Sequence, residues 1–183
     1  ALIEFRQKYI GPIVTANADM VRVADCPLDW RTNAREIINL RLLTPVAVHA
    51  DMVVLHEEES ASAAARHILA TLLGVPQISV KLCSCKPEHK KMLAYLLQFA
   101  RAHRELLLHG TLTVHGVAFG YTSAESVLAD ERAVFLYGEI AVAIGAEKIT
   151  YILNVSARRD LYVEVDSPAA HCVVYACTGE EVS

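Results

Sequence analysis

The hydrophobic period of the chain changes near Gly110, and this change constrains the fold more than any other feature of the sequence. Before it, short apolar runs alternate with segments whose apolar residues recur at helical spacing, the pattern of repeated βα units. Residues 2–5 and 20–24 have strand character, and Asp29 is a favoured N-cap for a helix with Ala34, Ile37, Ile38 and Leu42 on one face, ended by Thr44-Pro45. Residues 46–49 form the next strand. An acidic turn then leads into a helix from about Ser60, with Ala64, Ala65, Ile68, Leu69 and Leu72 on one side, stopped by Gly74 and Pro76. Residues 77–82 make a fourth strand. Pro87-Glu88 opens a long helix whose stripe is Met92, Leu93, Leu96, Leu97, Ala100 and Leu107, and Gly110 closes it.

Beyond Gly110 the period is two. Residues 111–117, 133–137, 140–144, 149–153, 161–165 and 172–175 are strand candidates, separated by the turn signals Gly138-Glu139, Gly145-Ala146 and Asp166-Ser167-Pro168. The expected architecture is α/β followed by all-β: βα units over residues 1–110 and an antiparallel, sandwich-like domain over residues 111–183. Four βα units cannot close a barrel, and an open parallel sheet needs cover on both faces. The first residues, Ala1-Leu2-Ile3-Glu4-Phe5-Arg6-Gln7, read as a strand in progress, with neither the basic start nor the apolar stretch of a signal peptide. The other half of the sheet is therefore expected upstream. A barrel followed by an antiparallel domain is a frequent plan among carbohydrate-active enzymes, a step that rests on analogy.

Composition narrows the function classes. With 54% hydrophobic residues among 183, the chain can bury a substantial core. Lys and Arg total 17 against 21 Asp and Glu, and no basic stripe is present to neutralise phosphates, which argues against a nucleic-acid partner. No apolar run reaches the roughly 18 residues a membrane helix needs. The five cysteines, Cys26, Cys83, Cys85, Cys172 and Cys177, lack the spacing of a disulfide framework, so a reducing, cytoplasmic setting is expected. Cys83, Cys85 and His89 form a partial metal-ligand set without a fourth ligand at a recognisable spacing; free loop thiols are the preferred reading, and no metal or organic cofactor is assigned. A Gly-rich phosphate loop and a nucleophile elbow are both absent from the sequence.

In a parallel barrel the working side chains stand at the C-terminal ends of strands. That rule singles out Glu4 with Arg6, Asp25, His49 with Asp51, and Lys81. Asp25 follows an apolar run and precedes Cys26-Pro27-Leu28-Asp29, so it can face the mouth of a barrel or cap a helix, a role for which Asp29 competes. His49 and Asp51 are spaced so that a carboxylate could orient an imidazole, either as a buried polar pair or as a contact to a sugar hydroxyl. His56 stands beside three glutamates, and His67, His103 and His109 fall on helices among charged residues, where surface packing explains them.

These stretches resemble the α-galactosidases of glycoside hydrolase family 36 almost end to end. The resemblance is carried, in order, by Glu4-Phe5-Arg6-Gln7-Lys8-Tyr9-Ile10-Gly11-Pro12, Arg22-Val23-Ala24-Asp25-Cys26-Pro27-Leu28-Asp29, Leu40-Arg41-Leu42-Leu43, Ala47-Val48-His49-Ala50-Asp51-Met52 and Val75-Pro76-Gln77-Ile78-Ser79-Val80. It implies that the βα units are the second half, strands five to eight, of a (β/α)8 TIM barrel, followed by the family's C-terminal β domain. It also implies that Asp25 is the acid/base carboxyl at the end of strand six, and that Glu4, with Arg6, lies beside the galactose subsite. The family's nucleophile, at the end of strand four, would precede Ala1. Ala50, where relatives often carry Ser, and a less aromatic entry at Ala18-Asp19-Met20 depart from the pattern and bear on sugar preference.

A retaining glycosidase needs two carboxyls about 5–5.5 Å apart, one attacking the anomeric carbon and one protonating the leaving oxygen and later activating water. The resemblance gives Asp25 the second task, with an α-galactoside oligosaccharide as substrate and Glu4, Arg6, His49 and Asp51 around it. Galactosyl transfer, N-acetylgalactosamine release and a non-catalytic sugar-binding or scaffold role stay open beside hydrolysis, as does a homo-oligomer of the full-length enzyme.

Overall fold

The computed structural model describes residues 1–6, 10–25, 27–166 and 170–182. Gln7, Lys8 and Tyr9 of the first motif, Cys26, and the Ser167-Pro168 turn signal lie outside the described residues. The chain divides into two units, Ala1–Lys90 and Lys91–Ser183.

The first unit holds a sheet of β1 (Glu4–Phe5), β2 (Met20–Arg22), β3 (Ala47–Val53) and β4 (Val75–Ile78), paired in sequence order and parallel throughout. Between them run α1 (Pro12–Asn17), α2 (Trp30–Leu43) and α3 (Ala61–Leu69), and α4 (Pro87–Ala102) begins after β4. α2 starts where the sequence places its cap: Asp29 accepts from the amides of Arg31 at 3.0 Å and Thr32 at 3.1 Å. Ser60 caps α3 in the same way, accepting from the Ala63 amide at 3.2 Å. The core is aliphatic, with Ile37, Ile38, Ile68, Leu72 and Leu73 almost wholly buried beside Val21, Val48 and Val53. Each such side chain contributes roughly 1.5–3 kcal/mol on burial. Of the expected face of α2, Ala34, Ile37 and Ile38 are buried and Leu42 is exposed, while Asn33 and Leu40 are buried in addition.

Two features of this sheet depart from the expected spans. β4 starts at Val75, ahead of the expected residue 77, and includes Pro76; β4 is an edge strand, where a missing N–H is tolerated. The pairing of β3 with β4 slips between His49 and Met52, so β3 gains a residue there. The slip lets both Val48 and Val53 reach the core, which strict alternation would forbid.

The second unit contains the rest of α4, α5 (Arg104–His109) and a sheet of β5 (Thr111–His115), β6 (Ser123–Leu128), β7 (Glu131–Leu136) and β9 (Ile149–Asn154). β8 (Ala141–Ala143) and β10 (Tyr162–Glu164) form a separate parallel pair. β5, β6 and β7 pair antiparallel, with β6 a strand the sequence reading does not anticipate, whereas β9 joins β7 in parallel, so the expected all-antiparallel arrangement does not hold there. Residues 172–175 form no strand; Tyr175 makes a single bridge to Glu181. The expected long helix to Gly110 is two helices, α4 and α5, meeting at His103, whose ring packs at a tilt against Phe99 and Tyr151, with ring centroids 4.6 Å and 4.4 Å away. Gly110 leaves α5 where a Cβ would approach Ser126 Oγ to 2.3 Å and Leu106 O to 2.5 Å, so only glycine fits. Ser126 Oγ donates to that same Leu106 carbonyl at 2.6 Å and ties α5 to the sheet.

Candidate functional site

Register and pleat assemble the site. Arg22 pairs with His49 across β2 and β3, while Phe5, Val21 and Val48 line up in the neighbouring row. Side chains alternate between faces along a strand, so Glu4, Arg22 and His49 share the face opposite Val21 and Val48. The core takes the valines, and the polar side chains gather on the other side.

Glu4 is the hub. Its Oε1 lies 2.5 Å from His49 Nδ1 and accepts from Arg22 Nε at 3.3 Å. Arg22 Nη1 continues to Asp25 Oδ1 at 3.4 Å, and the same oxygen accepts from Arg6 Nη2 at 2.7 Å. Arg22 is the buried member, its side chain 7% exposed, whereas Arg6 and Asp25 are 60% and 56% exposed. A buried guanidinium is tolerable only when paired, and Glu4 and Asp25 pair it from two sides. Partial burial pushes the Glu4 carboxyl up, but the His49 hydrogen bond and the Arg22 charge outweigh it and hold Glu4 below its usual value.

The structure thus brings together Glu4, Arg6, Asp25 and His49. Asp25 does not cap α2; that role belongs to Asp29. The carboxylate that meets His49 is Glu4, so the expected His49–Asp51 pair is not formed. Asp51 is fully buried, and neither carboxylate oxygen has a hydrogen-bond partner. Its backbone is clamped by Asn33, which accepts from the Asp51 amide and donates to the Asp51 carbonyl, both at 3.3 Å. Lys81 is exposed beyond the end of β4. His89 is buried with Nε2 3.0 Å from the Glu59 carbonyl oxygen, and among the described residues no group of three His, Cys, Asp or Glu side chains could hold a metal ion. No helix among the described residues is long and apolar enough to cross a membrane.

The residue that the strand-end rule misses is Arg22. The signal was present: a charged side chain inside the apolar run of residues 20–24 has to find opposite charge on its own face of the sheet. Chemically, the group offers an exposed carboxyl held through one oxygen, a carboxylate–imidazole pair next to it, and donors from two guanidiniums. Comparison with family models, with curated proteins and with solved structures finds no match to this chain.

Proposed function

We propose that this chain carries the acid/base half of a retaining glycosidase site for terminal α-linked galactose, with Asp25 as the proton-transferring carboxyl. The observation that carries the reading is the setting of Asp25: an exposed carboxyl just past a parallel strand, with both arginines on Oδ1 and the Glu4–His49 pair linked to it through Arg22. The sequence resemblance supplies the reaction class and the sugar. It also sets the attacking carboxylate on the strand before β1, so catalysis requires a polypeptide that includes that strand.

In this reading the attacking carboxylate bonds to the anomeric carbon as Asp25 gives its proton to the departing glycosidic oxygen. Proton transfer is assigned to Oδ2, because Oδ1 is engaged by Arg6 and Arg22. A water molecule then attacks the glycosyl-enzyme and passes a proton back to Asp25, restoring both groups. Glu4, Arg6 and His49 are assigned to galactose hydroxyls. Galactosyl transfer or release of N-acetylgalactosamine would use the same two carboxyls, and product analysis separates them. A reducing cytoplasmic setting belongs to the same reading and rests on the free thiols Cys83, Cys85 and Cys172.

The two arginines favour a second reading, in which Asp25 is an ionic tie in a sugar-binding or scaffold piece. Asp25→Ala in the polypeptide carrying the nucleophile decides between them. A sugar leaving group needs a proton, whereas an acidic phenol departs unaided. Turnover of natural α-galactosides should therefore fall about 10²- to 10⁴-fold, with bond cleavage in activated aryl α-galactosides spared. Azide, which needs no base, should restore turnover of the glycosyl-enzyme and yield an α-configured azide. Equal loss on both substrates with no azide effect makes Asp25 a structural tie.

A further inference from the structure

The second unit presents an aromatic side chain that its own packing does not use. Phe119 is 84% exposed, and it stands beside Val117 on the short 3-10 turn Val117–Phe119 between β5 and β6. A phenyl ring left in water forgoes the stabilisation that burial would bring. The turn that presents it is nevertheless closely tied. The amides of Phe119 and Tyr121 donate to the Gly116 carbonyl at 2.9 Å and 3.1 Å, the Gly120 amide donates to the Val117 carbonyl at 3.1 Å, and the Thr122 amide to the His115 carbonyl at 2.9 Å. Gly116 and Gly120 are left-handed, at φ 67° and 71°, and Tyr121 adopts φ 70° although it carries a side chain. A Cβ at Gly116 would lie 2.4 Å from Thr122 Oγ1. Backbone strain of this kind persists where the surroundings over-determine it, and it collects at ligand clamps.

The sheet beside the turn is polar and half covered. Thr111, Thr113 and His115 alternate along β5 and are exposed, so they share one face. Glu125 of β6 is directly opposite Thr113, and Val134 of β7 is directly opposite Glu125. Over β7 this face is covered, because Val134 packs in one cluster with Val142 of β8; over β5 it is open. At the border Arg132 donates to Glu125 Oε2 through Nε at 2.9 Å, pairs with it through Nη2 at 2.8 Å, and donates through Nη1 to the Ala143 carbonyl of β8 at 2.8 Å. Glu125 Oε1 lies 3.3 Å from His115 Nε2. The exposed row on β5 ends at His115, and the next residue, Gly116, opens the turn that carries Phe119.

We propose that this shelf binds a neutral saccharide, with the Phe119 ring against the C–H face of a pyranose and Thr113, His115 and Glu125 meeting its hydroxyl groups. The ligand class follows from charge and area. Residues 111–128 contain no Lys or Arg and a single acid, Glu125, whose charge Arg132 already meets. A phosphate or an anionic lipid surface therefore finds no counter-charge, and a cation finds no free carboxylate. The large apolar side chains exposed at the turn are Phe119 and Val117. One aromatic side chain offers about 150–250 Å², against about 1,000 Å² or more for a protein interface. A single ring face with neutral donors and acceptors beside it matches one sugar ring. The inference stands on the second unit alone and does not depend on the role of Asp25.

Affinity electrophoresis of the 183-residue chain through gels containing galactomannan or dextran, with polysaccharide-free gels as reference, tests it. At least one of the two neutral polysaccharides should retard the chain, and Phe119→Ala should lower the association constant about tenfold, the loss of one partly covered aromatic side chain. Phe119→Trp keeps a flat ring and should retain the retardation; Phe119→Leu is apolar without such a face and should lose it as the alanine variant does. The exposure of Phe119 means that all three variants should unfold at the wild-type denaturant midpoint. Retardation by neither polysaccharide, or unchanged retardation of Phe119→Ala, overturns the inference. So does full retardation of Phe119→Leu, which would make the contact apolar rather than a stacked ring. A lower sedimentation mass for Phe119→Ala with unaltered retardation also overturns it, by assigning the turn to contact between copies of this chain. Asp25→Ala should leave the Phe119-dependent retardation in place, so a failure of the Asp25 reading and a failure of this one are separate results.

Discussion

At the scale of single residues, the first unit contains two carboxyls whose pKa values are shifted in opposite directions. Glu4 is held below its ordinary value of 4.5, with burial opposed and outweighed by the His49 hydrogen bond and the Arg22 charge, so its stabilising contribution is present above that value and is lost as pH falls through the lower folded one. Asp51 is shifted the other way, first by burial, from 3.8. The fold therefore gains from its proton below that value, and the gain is lost as pH rises through the higher folded value. Glu4→Gln should remove part of the acid-side loss of stability and cost about 1.5–3 kcal/mol at neutral pH, the worth of hydrogen bonds to charged partners. Asp51→Asn should raise neutral-pH stability and leave the most acidic range unchanged. Denaturant unfolding followed across pH checks both; parallel profiles for wild type and both variants would contradict the assignments. Asp25 and Glu4 can be picked out in the sequence because strand ends are marked by the apolar runs before them. The pairing of Arg22 and the burial of Asp51 cannot, since they depend on which strands are neighbours and on a register slip, both tertiary facts.

At the scale of elements, what is legible in the sequence has strong local signals. α2 and α3 begin at the caps Asp29 and Ser60, β2 falls within the apolar run that suggests it, and β3 starts within its run but extends past residue 49 to Val53. β6 escapes a sequence reading because Ser123, Ala124, Glu125 and Ser126 carry little strand propensity; pairing on both sides, with β5 and β7, makes it a strand. α1 is too short for a helical period to show, and the break at His103 comes from an aromatic cluster that no local pattern announces. The turn joining β6 to β7 places Ala129 at φ 52°, in the left-handed region. A Cβ costs about 1–2 kcal/mol there, whereas glycine loses about 0.5–1 kcal/mol through chain entropy. Strain relief is the larger effect, so Ala129→Gly should stabilise the second unit by several tenths of a kcal/mol to about 1 kcal/mol. A lower thermal midpoint for the variant would show that the Ala129 side chain contributes something its position does not reveal.

At the scale of the whole molecule, the parallel sheet has β1 and β4 as its outer strands, and Leu2 and Ile3, just before β1, and Ile13, on α1, are exposed. Unpaired strand edges carry unmet N–H and C=O groups and are templates for another strand, more so when apolar side chains surround them. Leu2 is 78% accessible and Ile13, on α1, 83%, so exposed apolar side chains flank the charged Glu4 and Arg6 at this end of the chain. The 183-residue chain is therefore expected to self-associate, with sedimentation mass rising with concentration. Ile3→Lys combined with Ile13→Lys should suppress this, because a buried lysine between pairing copies is costly. On the proposed reading the chain should also fail to hydrolyse aryl α-galactosides however it associates, because pairing through β1 brings only a second copy of the same residues and not the attacking carboxylate. A chain that stays monomeric at every concentration would show that the β1 edge is protected in solution, and turnover of an aryl α-galactoside would show that the attacking group lies among these residues after all. Either result would move the nucleophile, or the edge it must join, away from the place the resemblance gives it.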